Sequence, residues 1–160
     1  MSRKALLLQN WEYTYEQEGW YPPLRDALSG LTAAQASWRP AGEAANTIWE
    51  TVSHLLFFKE RLMHRLAGTP FPLTAETNED TFVPSGGPED EDAWQATQER
   101  MATVHRQLRE QLSALSEEEL DQKDTAQSFM NLILHDACHT GQIIQIRKLQ
   151  GSWPARRTFQ

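Results

Sequence analysis

Only one cysteine stands in the chain, Cys138. That excludes an intrachain disulfide and makes a reducing cytoplasm the expected location. No apolar run approaches the roughly 20 residues that span a bilayer, so no membrane partner is expected. Arg3-Lys4 followed by Ala5-Leu6-Leu7-Leu8 imitates a signal peptide. The run stops at Gln9-Asn10 with no small-residue cleavage site after it, so no leader is expected. Basic residues are outnumbered, 15 Lys and Arg against 22 Asp and Glu, for a formal net charge of −7. A nucleic acid is therefore not an expected partner, since phosphate binding draws on Lys and Arg. Strand patterns, internal repeats and low-complexity blocks are missing as well. There is no G-x-S-x-G elbow, which removes the usual serine-hydrolase arrangement.

What is present is an ordinary soluble composition, 39% hydrophobic and 23% charged over 160 residues. That length favours one domain, residues 1–160, with ample core. Six tryptophans place aromatic mass in the core or along a ligand-binding wall.

Residues 4 to about 20 carry Leu7, Leu8, Trp11, Tyr15 and Glu18 at helical spacing, ended by Pro22-Pro23. Leu24, Leu28 and Leu31 continue the apolar stripe in a second segment, and Thr32 to Trp38 forms a short turn. Thr47-Ile48-Trp49-Glu50 is a capping box. It opens a helix to about Ala67, striped by Ile48, Val52, Leu55, Leu62 and Leu66, with Gly68 as its stop. Residues 68–87 are the only long irregular stretch, and loops of that length are often functional. Fully extended they reach roughly 66 Å, enough to let the next helix run parallel to the previous one. Pro88 and the acidic run after it start that helix. Its stripe is Trp94, Met101, Val104, Leu108, Leu112 and Leu115. Ser116 to Leu120 is a separate turn, Asp124 or Thr125 caps the final helix to about Gln150, and residues 152–160 read as loop. Four long amphipathic helices make the fold class all-α, a four-helix bundle.

The final helix holds His135 and His139. Four apart, they leave one face with Cβ atoms roughly 5–6 Å apart, a spacing at which two imidazoles grip one metal ion. Leu132, Cys138, Ile143 and Ile146 share that face. Two rings on an inward apolar strip call either for a metal or for a backbone carbonyl each, because an unpaired buried polar group costs roughly 1–3 kcal/mol. His54 lies off the main apolar arc of its own helix, beside Glu50, Thr51, Phe58, Arg61 and Arg65, a half-polar wall suited to a cleft or to solvent. As a third ligand it would complete a three-histidine site with an open position. Of the other histidines, His64 reads as exposed and His105 as a boundary residue. Cys138 reads as a small core residue or, less simply, a fourth soft ligand.

Several pieces recur in order: Trp38-Arg39-Pro40; Thr47-Ile48-Trp49-Glu50 with His54-Leu55; Leu66-Ala67-Gly68; and His135-Asp136-Ala137-Cys138-His139-Thr140-Gly141-Gln142-Ile143. With them the sequence resembles the DinB-like superfamily of four-helix-bundle metalloproteins. The resemblance implies an up-down-down-up bundle, in agreement with the long crossover between its second and third helices. It implies a zinc or nickel ion held by His54, His135 and His139. It also implies a metal-dependent enzyme of the bacillithiol or mycothiol S-transferase kind, or a hydrolase, acting on a small molecule with a low-molecular-weight thiol. The rival expectation is a non-catalytic metal-binding or stress-response bundle protein. Glu50 is the expected acid–base group, and Thr51, Phe58, Arg61, Arg65 and Gln142 the expected substrate pocket. Arg61 and Arg65 suit a substrate carboxylate. Members of the family are often dimers, and Met130, Ile133, Ala137, Gly141 and Ile144 form a second apolar stripe on the last helix that a second copy is expected to cover.

Overall fold

A computed structural model describes residues 1–154. Every regular element among them is helical: α1 (Arg3–Tyr15), α2 (Leu24–Leu28), α3 (Ala33–Ser37), α4 (Ile48–Ala67), α5 (Glu91–Ala114), α6 (Glu117–Asp121) and α7 (Thr125–Leu149), with 3-10 turns at Glu79–Thr81 and Gln122–Asp124. None is long and apolar enough to cross a membrane. Most of the loop expected over 152–160 lies outside the described residues.

The helix ends obey local rules. Thr47 Oγ1 accepts from the Glu50 amide at 3.1 Å, and Glu50 Oε2 accepts from the Thr47 amide at 2.8 Å. At the other end of α4, Gly68 takes a left-handed φ of 67°, which glycine adopts at little steric cost. Two boundaries depart from expectation. Helix α1 stops at Tyr15 rather than near residue 20: the Glu16 and Gln17 amides both close on the Glu12 carbonyl, at 2.9 and 3.0 Å, which leaves no carbonyl ladder to continue. Pro88 does not open α5. The Asp90 amide donates to the Gly87 carbonyl at 3.0 Å, and Asp90 Oδ2 accepts from the Gly87 amide at 2.7 Å. Proline is thus spent at the second position of a β-turn, where its fixed φ is favoured, and the helix begins after it.

Helix α4 packs on α5 and α7, and α1 packs on the same two. Trp11, Trp49 and Trp94 lie fully buried between them. Each indole N–H is satisfied: Trp11 donates to the His105 carbonyl at 3.1 Å, Trp94 to the Leu31 carbonyl at 2.8 Å, and Trp49 to Thr97 Oγ1 at 3.1 Å. Trp20 and Trp38 are exposed, and the aromatic rings in contact with His54, His135 and His139 are Phe58 and Phe82, not these five.

Helix α7 touches α1, α2, α4 and α6, which covers it on more than one side. The stripe expected to need a second copy is partly covered within the chain: Ile133 is 6% exposed, while Met130, Ala137 and Ile144 are half-buried. Of that set, only Gly141 is exposed. His105, read as a boundary residue, is wholly buried. His64 is half-buried, with Nδ1 2.9 Å from Thr69 Oγ1.

Candidate metal centre

Because α4 lies on α7, His54 meets the two histidines of α7. His54 Nε2 stands 2.8 Å from His135 Nε2, and His139 Nε2 stands 3.1 Å from the same atom. The ligating nitrogens all lie within 4.8 Å of one another.

The outer nitrogens decide which form the rings take. Thr81 spends its one hydroxyl proton on the Asn78 carbonyl at 2.6 Å. Toward His54 it can only accept, so at 2.6 Å His54 Nδ1 carries the hydrogen and Nε2 a lone pair. Gln142 Oε1 accepts from His139 Nδ1 at 2.7 Å, with the same consequence for that ring. Burial, then the charges of His135 and His139, lowers the His54 pKa to about 3. Burial, then His139 and Lys59, lowers that of His135 to about 4. Both rings are neutral at pH 7, the form a metal requires. At least two lone pairs thus face a common point, and their mutual repulsion is relieved by a cation there. The donor set fits a divalent ion, and the bonds at Nδ1 are the outer contacts that orient such ligands.

Two aromatic rings enclose the nitrogens. Phe82 stacks on His54 with centroids 4.0 Å apart, and Phe58 meets His54 and His135 edge-on at 5.0 and 5.3 Å. Beyond His135 opens a cleft of about 510 Å³ lined also by Phe58, Arg61, Arg65, Ser128 and Asn131. Arg65 donates to Ser128 Oγ at 2.7 Å. Among the described residues neither Arg61 nor Arg65 has a carboxylate partner, although five of the other seven arginines do.

Other expected site residues sit elsewhere. Both Glu50 oxygens are engaged, Oε2 by the Thr47 amide and Oε1 by Arg39. Burial raises its pKa, but the bonds from Arg39 and Thr47 outweigh that and hold it below the usual range. These partners are the helix cap and Arg39, and none of the three histidines is among them. Thr51 is buried, donates to the Thr47 carbonyl at 2.8 Å and does not line the cleft beside His135. Cys138 is exposed and stands outside the ligand cluster. It sits about 60° around the helix from His135, on the side opposite His139, which turns it toward solvent.

Sequence reasoning missed Thr81 and Phe82. Both lie in the irregular stretch, which has no period to place a side chain; its unusual length was the only pointer. Thr81→Val is expected to leave the fold intact and to weaken Zn(II) binding roughly 10–100-fold, read by competition with a chromophoric chelator. Unchanged affinity would show that the hydroxyl does not orient His54.

No curated protein matches the chain. The family model described as the DinB superfamily matches residues 22–143, a span that holds His54, His135 and His139. Helical in every regular element among its described residues, with His54, His135 and His139 brought to one point, the chain belongs to the DinB superfamily.

Proposed function

We propose that this protein is a metal-dependent enzyme that activates a thiol or a water molecule at His54, His135 and His139. The observation that carries the proposal is the convergence of three Nε2 atoms beside an open, arginine-lined cleft. Zinc and nickel are both suited to imidazole. A divalent ion, when bound, supplies positive charge that favours the deprotonated form of water or thiol. The chain's own residues do the rest. Thr81 and Gln142 hold the rings in their ligating form, and Phe58 and Phe82 keep water from their edges. Arg61 and Arg65 bind an anionic group of the small-molecule substrate in the cleft. Thiol transfer is preferred to hydrolysis on the family resemblance. The same reading takes the four long helices as an up-down-down-up bundle, which the long 68–87 crossover supports. It keeps the homodimer and the cytoplasmic location, but Ile133 lies inside the core and is not available to a second copy.

One observation favours a non-catalytic metal-binding protein instead. Glu50, the expected acid–base group, is engaged by its cap and Arg39. The two readings part on one experiment. Protein purified without nickel resin is expected to carry one equivalent of zinc or nickel and to conjugate an electrophile with a low-molecular-weight thiol. Arg61→Ala/Arg65→Ala is expected to raise KM for an anionic substrate roughly tenfold or more, with metal content unchanged. Metal-loaded protein that conjugates no electrophile and hydrolyses no common ester or amide would make the binding protein the better reading.

A further inference from the structure

Toward the core from the histidines lies an ion pair that solvent does not reach. Lys59 and Asp136 are both 0% exposed, with Lys59 Nζ 2.6 Å from Asp136 Oδ2. All four long helices meet around it. From α1, the Trp11 ring faces the ammonium, 4.2 Å from Nζ to the centroid. From α5, His105 Nδ1 lies 3.4 Å from Nζ, and the His105 ring stacks on both Trp11 and Tyr15 with centroids 4.7 Å apart. Burial, then the neighbouring Lys59, keeps the His105 ring neutral, so it can accept from the ammonium.

An ion pair is a costly way to join two buried surfaces, because apolar residues of similar volume often serve as well or better. What it adds is direction. Apolar burial is non-directional and tolerates small shifts, whereas the Lys59 ammonium, held at once 2.6 Å from Asp136 Oδ2, 3.4 Å from His105 Nδ1 and 4.2 Å from the Trp11 ring centroid, keeps all three contacts only near one placement of α4 against α7. The positions of the two residues in the chain then matter. Lys59 lies five residues after His54 on α4, and Asp136 directly follows His135 on α7.

We propose that Lys59 and Asp136 are positioning residues for the metal centre: their ion pair fixes the register of α4 against α7 at which His54 meets His135 and His139. The proposal rests on the three-histidine site binding an ion. A one-residue slip of α7 turns it by about 100° and moves it by about 1.5 Å. Such a slip would part the ion pair and also the rings, whose Nε2 atoms stand 2.8 and 3.1 Å apart. Metal ligation is the more demanding of the two, with a tolerance of about 0.2 Å in bond length. The ion pair reads the same register from inside the core, where it is shielded from water.

Co(II) is the probe, titrated into the full chain and followed by its visible absorption. Wild type is expected to take one equivalent; if it takes none, the metal centre itself falls, which is a different failure. Lys59→Met/Asp136→Asn keeps both side chains close to their original size and removes both charges. It is expected to fold with wild-type helicity, to bind Co(II) roughly 10–100-fold more weakly, and to show a shifted d–d band. Lys59→Met alone is the second variant, in which the remaining carboxyl can take a proton. It is expected to show the same weakening with a lower melting temperature. Either variant, folded and binding Co(II) with wild-type affinity and an unshifted band, overturns the proposal.

Discussion

His139→Ala is expected to strip the protein of its metal while leaving the fold in place. His139 is half-buried and outside the apolar core; its contacts are Gln142, the other two histidines and Phe82. Alanine is the best helix former, so α7 loses nothing in propensity at that position. The change in metal-free stability should fall within the roughly ±0.5 kcal/mol of an ordinary surface substitution. The effect on binding is of another order. Three protein ligands with an open position make a recognised catalytic site, and removing one takes a third of the donor set. The loss should exceed the roughly 10–100-fold of an outer partner such as Thr81. Any activity should disappear with the metal. Elemental analysis after gel filtration with a mild chelator checks this, with thermal melting of the metal-free form alongside. One equivalent of metal retained under those conditions would remove His139 from the ligand set. His54→Ala is a poorer test, since His54 is 3% exposed beneath Phe82 and its loss leaves a cavity.

Ile133→Glu is expected to unfold the chain rather than to divide a dimer. Ile133 is 6% exposed within the continuous core. A carboxylate there has no partner and must be desolvated, which places the substitution in the class costing upward of about 4 kcal/mol. Against a typical total of about 5–15 kcal/mol, that is a large fraction. The melting temperature should fall by roughly 8–16 °C or the transition should vanish. Size-exclusion chromatography with a thermal melt decides. A folded species of half the wild-type mass with an unchanged melt would mean that Ile133 faces another copy after all.

That reversal shows where sequence reasoning stopped. The stripe through Ile133 was legible as apolar, but a helical wheel does not say how far neighbours wrap around it. Helix α7 meets four other helices, so the part of the second apolar stripe around Ile133 is covered within the chain. Features set by short-range rules were readable: the Thr47–Glu50 capping box, the Gly68 stop, and two histidines one turn apart. The third ligand was readable only as an odd residue off the apolar arc, because what brings His54 to α7 is tertiary packing. Pro88 misled because a β-turn and a helix start both favour proline. The buried ion pair did leave a trace. On α4 the apolar positions run Ile48, Val52, Leu55, then Leu62 and Leu66, and the gap in that rhythm is Lys59. On α7 the same rhythm passes from Phe129 and Leu132 through Asp136 and Thr140 to Ile143, and all five are buried. Charged residues at core positions were the signal, and composition alone hides it because both types are common on surfaces.

The crossing from α4 to α5 is tied down in its middle, at the hydroxyl that Thr81 shares between Asn78 and His54. In polymer terms one long ring closure becomes two short ones. A flexible loop is cheap to lengthen, at about 0.6 kcal/mol for each doubling. That freedom applies to residues 72–75, between the Phe71 ring packed on Phe57 and the Glu76 and Thr77 amides bound by Asp80. Between Asn78 and Phe82 it does not, because one added residue carries both the hydroxyl and the stacking ring off His54. Chain length is free to drift there beside a fixed knot, and although the three histidines ride on α4 and α7, what orients and covers His54 lies in a stretch with almost no regular structure.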